Sequence, residues 1–509
     1  MIGDISNETA NPAVGAVMVE RVLAPRLIET AWIARLPDGR LRIARPEGAV
    51  TLPLLPAAVS DVLAGLSENS MPLADLVDDL ARPDGPGLIS HLFAHLTRLS
   101  MQGFLTYRLV MDGAELGSIE PTGMRHRFLV QPMPDTRSLR LSRFSVMRRE
   151  DDHMVVESGL SHALIRIRHG TLMGLLGMLA TPQTPASLRA LGEAMGIRAE
   201  VTAGLLVLLQ NGKHFEDVAG NSSDDLNLWN PHDLLFHASS RFGRMGGSFG
   251  GAFQHIGDID PAPALRVLPS GMRIPLPVPV LEEMIRNDPP FQEIVETRRS
   301  IYSYGRAPIT LDDIGEFLYR VARVRQIGTQ TVSSVLTGRE GQMEISSRPT
   351  PAGGRGYELE LYLTVDSCDG LDSGLYHYDP AGHQLTLVRP ADDVTEQMLA
   401  FASIASPGIR PQVLITMAAR FRRMMWKYDR IAYAATLKHV GVMMQQMYLA
   451  ATTMHLAPSA QGSGNIEIFA LATGNDPEVE GSVGEFILGS STREPRRHRP
   501  TMLYSRPAS

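Results

Sequence analysis

"RRSIYSYGRAPITLDDIGEFLYRVARV", residues 298–324, decides how the second half of the chain reads. Arg298, Arg299 and Ser300 place two guanidinium forks and a hydroxyl side by side at an expected helix end. That set suits a phosphate monoester, because a planar guanidinium meets two oxygens at once. A solvated basic cluster is the alternative reading of the same residues. Further on, Thr310 is a good N-cap for "LDDIGEFLYRVARV", and Asp313 completes capping-box spacing. Residues 286–320 therefore read as two helices joined by "RRSIYSYGRAPIT".

Downstream, "YELELYLTV" (357–365) alternates strictly and predicts a strand. "SGLYHYDPAGHQLTLV" (373–388) reads as a hairpin turning at Asp379–Gly382, and "PQVLITM" (411–417) as a buried strand. Residues 429–456 predict one long helix, with Ile431, Ala434, Leu437, Val440, Met444, Met447, Ala451 and Met454 at helical spacing. Its methionine stripe, Met443, Met444, Met447 and Met454, is most simply core. "GEFILGS" (484–490) is a further strand, so the class is α+β.

Just before the long helix stands "RFRRMMWKYDRIAYAAT", residues 420–436. The chain has 48 Lys+Arg, of which only Lys213, Lys427 and Lys438 are lysines. A position that insists on lysine wants a compact, titratable ammonium, which arginine cannot supply. Read as a surface cation at a helix start, Lys427 would be disfavoured by the helix dipole.

The first half uses one plan twice. Residues 30–53 read as two strands around Asp38–Gly39, followed by helical periodicity and the strand "FLTYRLVM" (104–111). Residues 144–168 again read as paired strands, followed by three helical segments and "KHFEDV". Strands, three helices and a closing strand make a winged-helix-like module. The expected boundaries are 1–120 and 121–225 for the two modules, 226–285 for a Gly/Pro-rich linker, and 286–509 for the last domain. Residues 1–120 hold 9 Arg and no Lys against 15 Asp+Glu; residues 121–220 hold 12 Arg+Lys against 9 Asp+Glu. A nucleic-acid reader needs a basic face to displace counterions, and the first module has the opposite sign. Peptide addition at a strand edge is the open alternative, beside a scaffold that binds nothing.

Net charge is −7, with hydrophobic residues at 44% and charged at 20%. No apolar run approaches the ~20 residues of a membrane helix. The N-terminal residues carry acids where a signal peptide has basic residues, so a cytoplasmic location is expected. One cysteine, Cys368, leaves no internal disulfide and no multi-cysteine metal site. The glycine cluster "MGGSFGGAF" lacks the Gly-Lys-Ser/Thr of a phosphate loop.

The 298–324 stretch resembles the opening signature of the nitroreductase superfamily, where an Arg-x-Ser motif holds the phosphate and ribityl chain of FMN. "SSRPTPAGGRGYELELYLTV", "SGLYHYDPAGHQLTLV" and the long helix ending in "LAATTMHLAPSAQGSGN" are similar, in the same order, to the SagB-type azoline dehydrogenases of that superfamily. The resemblance covers about residues 230–509, and the tandem modules look like the peptide-clamp domains fused to some members. It implies a nitroreductase-like FMN domain, a mixed sheet flanked by helices, built as an obligate homodimer. It implies FMN contacts at Arg298, Arg299, Ser300 and Tyr302, the last standing where many members have a basic residue. It places Pro351, Ala352, Gly353 and Gly354 in a loop reaching the flavin from the dimer partner, with alanine where the family has serine at 352. It sets the Gln461–Gly462 backbone against the flavin edge, and Arg493 or the 496–499 run at the phosphate. Lys427 and Tyr428 match the family's catalytic Lys-Tyr pair. The implied reaction oxidises thiazolines or oxazolines of a ribosomally made precursor peptide to azoles, with dioxygen as acceptor and a cyclodehydratase as partner. An NAD(P)H-dependent nitro- or quinone reductase and a non-catalytic peptide scaffold are the rival readings.

Overall fold

The structure is a computed structural model that describes residues 19–45, 48–67, 71–80, 85–123, 126–131, 133–217, 224–245, 250–406, 408–492 and 499–503. The chain divides into two compact units, Met1–Gly247 and Ser248–Ser509. No helix among the described residues is long and apolar enough to cross a membrane.

In the first unit, helices Ala57–Gly65, Leu73–Leu80 and Gly85–Met101 precede strand Leu105–Met111. Helices Gly170–Met178, Pro185–Ala194 and Ala199–Asn211 precede strand Phe215–Asp217. The element order thus recurs, but the strands do not stay within their repeats. Leu23–Leu27, Leu105–Met111, Ala114–Pro121, Ala163–Ile167, His153–Ser158 and Ser145–Glu150 lie in that order in one antiparallel six-stranded sheet. Ile165 pairs with Ile119 on one side and Val156 on the other, and all three are fully buried. The seam between the repeats is therefore core, and one apolar cluster runs from Val19 to Leu209.

In the second unit, Arg273–Pro275, Gln384–Pro390, Gly374–Asp379, Leu359–Val365, Val413–Arg420, Glu480–Gly489 and Ala457–Gln461 form a seven-stranded sheet in that order. All its pairings are antiparallel, whereas a mixed sheet was expected; the parallel pairing is the two-residue contact of Ile309–Thr310 with Cys368–Asp369. Its middle strands are joined as a hairpin or by helices that return the chain to the same end. Strand alternation decides the layers. Phe486 and Leu488 face helices Leu311–Ala322 and Ala432–Thr453, with Phe317, Met443 and Met447, while Ile487 faces Met398, Leu399 and Phe469 of helices Asp393–Ala405 and Ile466–Thr473. The capping box forms: the Thr310 hydroxyl accepts from the Asp313 amide at 3.1 Å, and the Asp313 carboxylate accepts from the Thr310 amide at 3.2 Å.

Residues 226–285 carry helix Pro231–Ser239 and strand Arg273–Pro275, and part of this segment is a strap. The strap lies over the "RFRRMMWK" stretch. Trp426 Nε1 donates to Ile259 O at 2.7 Å, Arg423 Nη1 to Ala262 O at 2.8 Å, and Arg420 to Pro263 O. The amides of Ala252 and Phe253 in turn donate to the Lys427 carbonyl at 2.9 and 3.2 Å. Under the strap, Ile256 and Trp426 pack with Val332, Met343 and Ile345 of a hairpin, Gln326–Ser333 with Glu340–Ser347.

Candidate active site

The short helix Phe421–Met425 ends before Lys427, and the long helix begins only at Ala432. Lys427 is thus in a turn between two helices rather than at the start of the second. The dipole penalty at the start of the long helix therefore does not apply to it, and the reason for a lysine lies in what surrounds it.

Lys427 is buried, and its Nζ donates to Gly354 O at 2.7 Å. The Phe253 and Tyr428 rings stand 5.6 and 5.5 Å from Nζ. Burial, then the nearby Arg423 and Arg355 guanidinium groups, hold its pKa below the ordinary lysine value. Tyr428 moves the other way: burial, then the Glu358 carboxylate, keep its hydroxyl protonated. Gly354 adopts φ +57°, and a Cβ there would overlap both Lys427 Nζ and the Tyr428 hydroxyl. The base-like amine and the hydroxyl donor therefore converge on one glycine.

That glycine sits in the 3-10 turn Gly353–Arg355, between Ala352 and Gly356. The Gly353 amide donates to His439 Nε2 at 2.7 Å, and His439 Nδ1 lies 2.7 Å from Glu358 Oε1. Arg423 Nε donates to Gly356 O at 2.9 Å. Lys427, Tyr428, Ala352 and Gly353 are brought together; Pro351 precedes them, exposed. His439 and Glu358 were missed by sequence reasoning. The signal available was a glutamate inside the apolar strand run "YELELYLTV".

A second cluster holds the arginines. Ser300 Oγ and the Tyr448 hydroxyl are 2.8 Å apart, the Arg298 guanidinium lies 5.1 Å from the Tyr448 ring centre, and the Ala460 amide donates to the Tyr448 hydroxyl at 2.8 Å. Arg299 donates only to the backbone carbonyls of Glu296 and Arg298. Among the described residues, neither Arg298 nor Arg299 pairs with a carboxylate. The Arg298 guanidinium beside two hydroxyls, with Arg299 next to it in sequence, fits a phosphate ester. Tyr302 is 43% exposed. The Gln461 side chain turns inward, donating to Ala402 O and Ser406 Oγ, each at 2.7 Å, and its backbone ends strand Ala457–Gln461 opposite Glu485. A Cβ at Gly462 would meet nothing, so that loop edge is open. Arg493 lies outside the described residues, and Arg499 pairs with Asp313 at 3.3 Å.

Behind the loop, Glu485 lines a small cavity with Gln461, Thr416 and Gly464. Burial pushes its carboxyl up to about 7. A carboxyl whose pKa rises on folding binds its proton more tightly in the native state, so stability is full below the unfolded value and is lost as pH rises through the folded one. Between about pH 5 and about pH 9 the wild type should lose up to ~3 kcal/mol relative to Glu485→Gln, read as diverging melting curves.

Residues 295–489 match the nitroreductase family model, and residues 139–246 match the model of the cyanobactin oxidase ThcOx. Residues 295–489 form a nitroreductase-family domain. A "putative nitroreductase" of Methanocaldococcus jannaschii is 27% identical over 174 residues, 34% of this chain and 78% of that protein. Among solved structures, the E. coli microcin synthetase McbBCD complex with truncated pro-MccB17 bound is 15% identical, covering 54% of this chain and 99% of that one at a TM-score of 0.31. A Desulfovibrio desulfuricans "putative nitroreductase", solved in complex with FMN, is 16% identical, covering 42% and 99% at a TM-score of 0.25. The nitroreductase-family domain contains both clusters, from Arg298 to Gln461.

Proposed function

We propose that the protein is an FMN-dependent azoline dehydrogenase, which oxidises thiazolines or oxazolines of a modified precursor peptide to thiazoles or oxazoles. The observation that carries this reading is the convergence of Lys427 Nζ and the Tyr428 hydroxyl on Gly354 within a nitroreductase-family domain. Aromatising an azoline removes a hydride and a proton from neighbouring carbons, and a simple nitro or quinone reductase has no such carbon acid to deprotonate. A lysine with a lowered pKa is neutral more often near neutral pH and takes that proton. Tyr428, held protonated, donates a hydrogen bond that orients the ring.

FMN, when bound, supplies an acceptor for the hydride. Arg298, Arg299 and Ser300 would hold its phosphate and ribityl chain, with the Gly462 backbone beside its ring edge. Dioxygen is the proposed terminal acceptor. On the long helix, His439 and Tyr448 are nine residues apart, two and a half turns, and so lie on opposite faces about 13 Å apart along the axis. One chain thus presents its lysine cluster and its phosphate cluster on different sides of that helix. This supports a homodimer in which each flavin is held by one chain and approached by the 351–354 loop of the other. The match to the cyanobactin oxidase ThcOx over residues 139–246 supports a place for the first unit in the oxidation, and its acidic first repeat disfavours DNA. A cyclodehydratase supplying the azoline is the partner this chemistry requires.

Flavin retention tests the cofactor half of the reading. Each charge-assisted bond contributes about 1.5–3 kcal/mol. Replacing both Arg298 and Arg299 by alanine is expected to weaken FMN binding at least ~100-fold. Titration of FMN fluorescence measures the loss, and an unchanged affinity would move the phosphate elsewhere.

A further inference from the structure

We propose that Glu358 and His439 act as a positioning pair, holding the Gly353–Gly354 turn on which Lys427 is anchored. The proposal deepens the dehydrogenase reading and rests on it for what Lys427 does, while the placement of the lysine is a property of this chain alone.

His439 is 8% exposed on the long helix, and no step above uses it. Its Nε2 is 2.7 Å from the Gly353 amide nitrogen. A backbone amide only donates, so Nε2 is the acceptor and the ring hydrogen is on Nδ1. Nδ1 then donates to Glu358 Oε1 at 2.7 Å. Both ring nitrogens are committed, so His439 is not free to exchange a proton with substrate. Glu358 is wholly buried, and its Oε2 has no partner among the described residues. A buried carboxylate is costly, and an apolar side chain would pack as well. What the carboxylate adds is a fixed tautomer, the one whose Nε2 lone pair meets Gly353.

The next link is covalent. Gly353 is followed by Gly354, whose carbonyl takes the Lys427 hydrogen bond at 2.7 Å. The same loop is tied from the other side, where Arg423 donates to Gly356 O. Three bonds of 2.7 Å thus run from Glu358 through His439 and the turn to Lys427. Arg423 and Arg355 are the charged groups that act on the lysine, with Tyr428 beside it and the Phe253 ring closing the last side. Without the His439 acceptor, the Gly353 amide is orphaned, the turn opens, and Lys427 escapes toward solvent and away from the two arginines.

The lysine count makes this measurable without flavin or substrate. Lys213 and Lys438 are both exposed and serve as internal references. The full-length protein is treated with limiting acetic anhydride across a pH series, and acetylation at each lysine is quantified by mass spectrometry, normalised to its alkaline plateau. In the wild type, Lys427 should reach half-reaction at a lower pH than Lys213 and Lys438. His439→Leu should move that midpoint up to the references, and Glu358→Gln, which keeps size and loses charge, should move it the same way by less. His439→Gln, whose amide oxygen accepts the Gly353 hydrogen, should restore most of the wild-type value. Should His439→Leu fail to fold, the Glu358→Gln and His439→Gln pair decides alone. An unchanged Lys427 midpoint in Glu358→Gln and in any folded His439→Leu, or a His439→Gln midpoint as high as the references, overturns the proposal. An inert azoline peptide beside the expected labelling would sink only the dehydrogenase reading; oxidation of the peptide beside unmoved labelling would sink only the positioning pair.

Discussion

Lys427→Ala is expected to retain FMN and to lose most of its oxidation of an azoline peptide. The expected drop in the rate of flavin bleaching is about 10²- to 10⁴-fold, the usual contribution of a positioned general base. The sign of the pH dependence follows from the chemistry. The base must be neutral, so the wild-type rate rises with pH as Lys427 loses its proton. Because burial, Arg423 and Arg355 lower that pKa, the limb lies below the range of an ordinary lysine. In Lys427→Ala this limb should vanish. Lys427→Arg should be no better than alanine, because a guanidinium keeps its proton throughout the accessible range. Stopped-flow bleaching of the bound flavin over a pH series reads all three. Full activity in Lys427→Arg would remove the lysine from proton transfer.

Gly354→Ala should be nearly as damaging, for a geometric reason. A left-handed backbone costs a non-glycine residue about 1–2 kcal/mol. The larger effect is the overlap of the new methyl with both Lys427 Nζ and the Tyr428 hydroxyl. Both head groups must move aside, and a misplacement of that size costs about 10²-fold in rate. Gly353→Ala is the control. Its Cβ would lie 3.0 Å from His439 Nε2, with no positive φ to strain, so a few tenths of an ångström of relief suffices. The expected order in kcat is wild type, then Gly353→Ala, then Gly354→Ala, with FMN content unchanged in all three.

These two predictions also mark where the sequence was legible. Thr310 and Asp313 form their box as spacing predicts, because a cap is a local interaction over three residues. The hairpin Gly374–Asp379 with Gln384–Pro390 turns between Asp379 and Gly382 as its residues predict, and the helix Ala432–Thr453 lies within the 429–456 span. The hairpin Gln326–Ser333 with Glu340–Ser347 escaped notice, since seven of the eight residues of its first strand are exposed and no alternation marks it. The six-stranded sheet escaped too, because the pairing of Ile119 with Ile165 leaves no trace in either segment's pattern. At the site, the oddness of Lys427 was legible from composition, but its setting was not. The strap from residues 252–263, the approach of Gly354 to Lys427, and the His439–Glu358 contact across 81 residues of chain are all long-range. Such groups become visible only when the chain is folded.

The measurement that tests the central claim most directly is an anaerobic single turnover. The purified protein with bound FMN is mixed with an azoline-bearing peptide in the absence of dioxygen, and the flavin spectrum and peptide mass are followed together. The account predicts that the oxidised-flavin band bleaches while the peptide loses two hydrogens for each flavin bleached, and that admitting dioxygen restores the band. Bleaching by NADPH alone, with the peptide's mass unchanged, would contradict it and leave the protein a reductase.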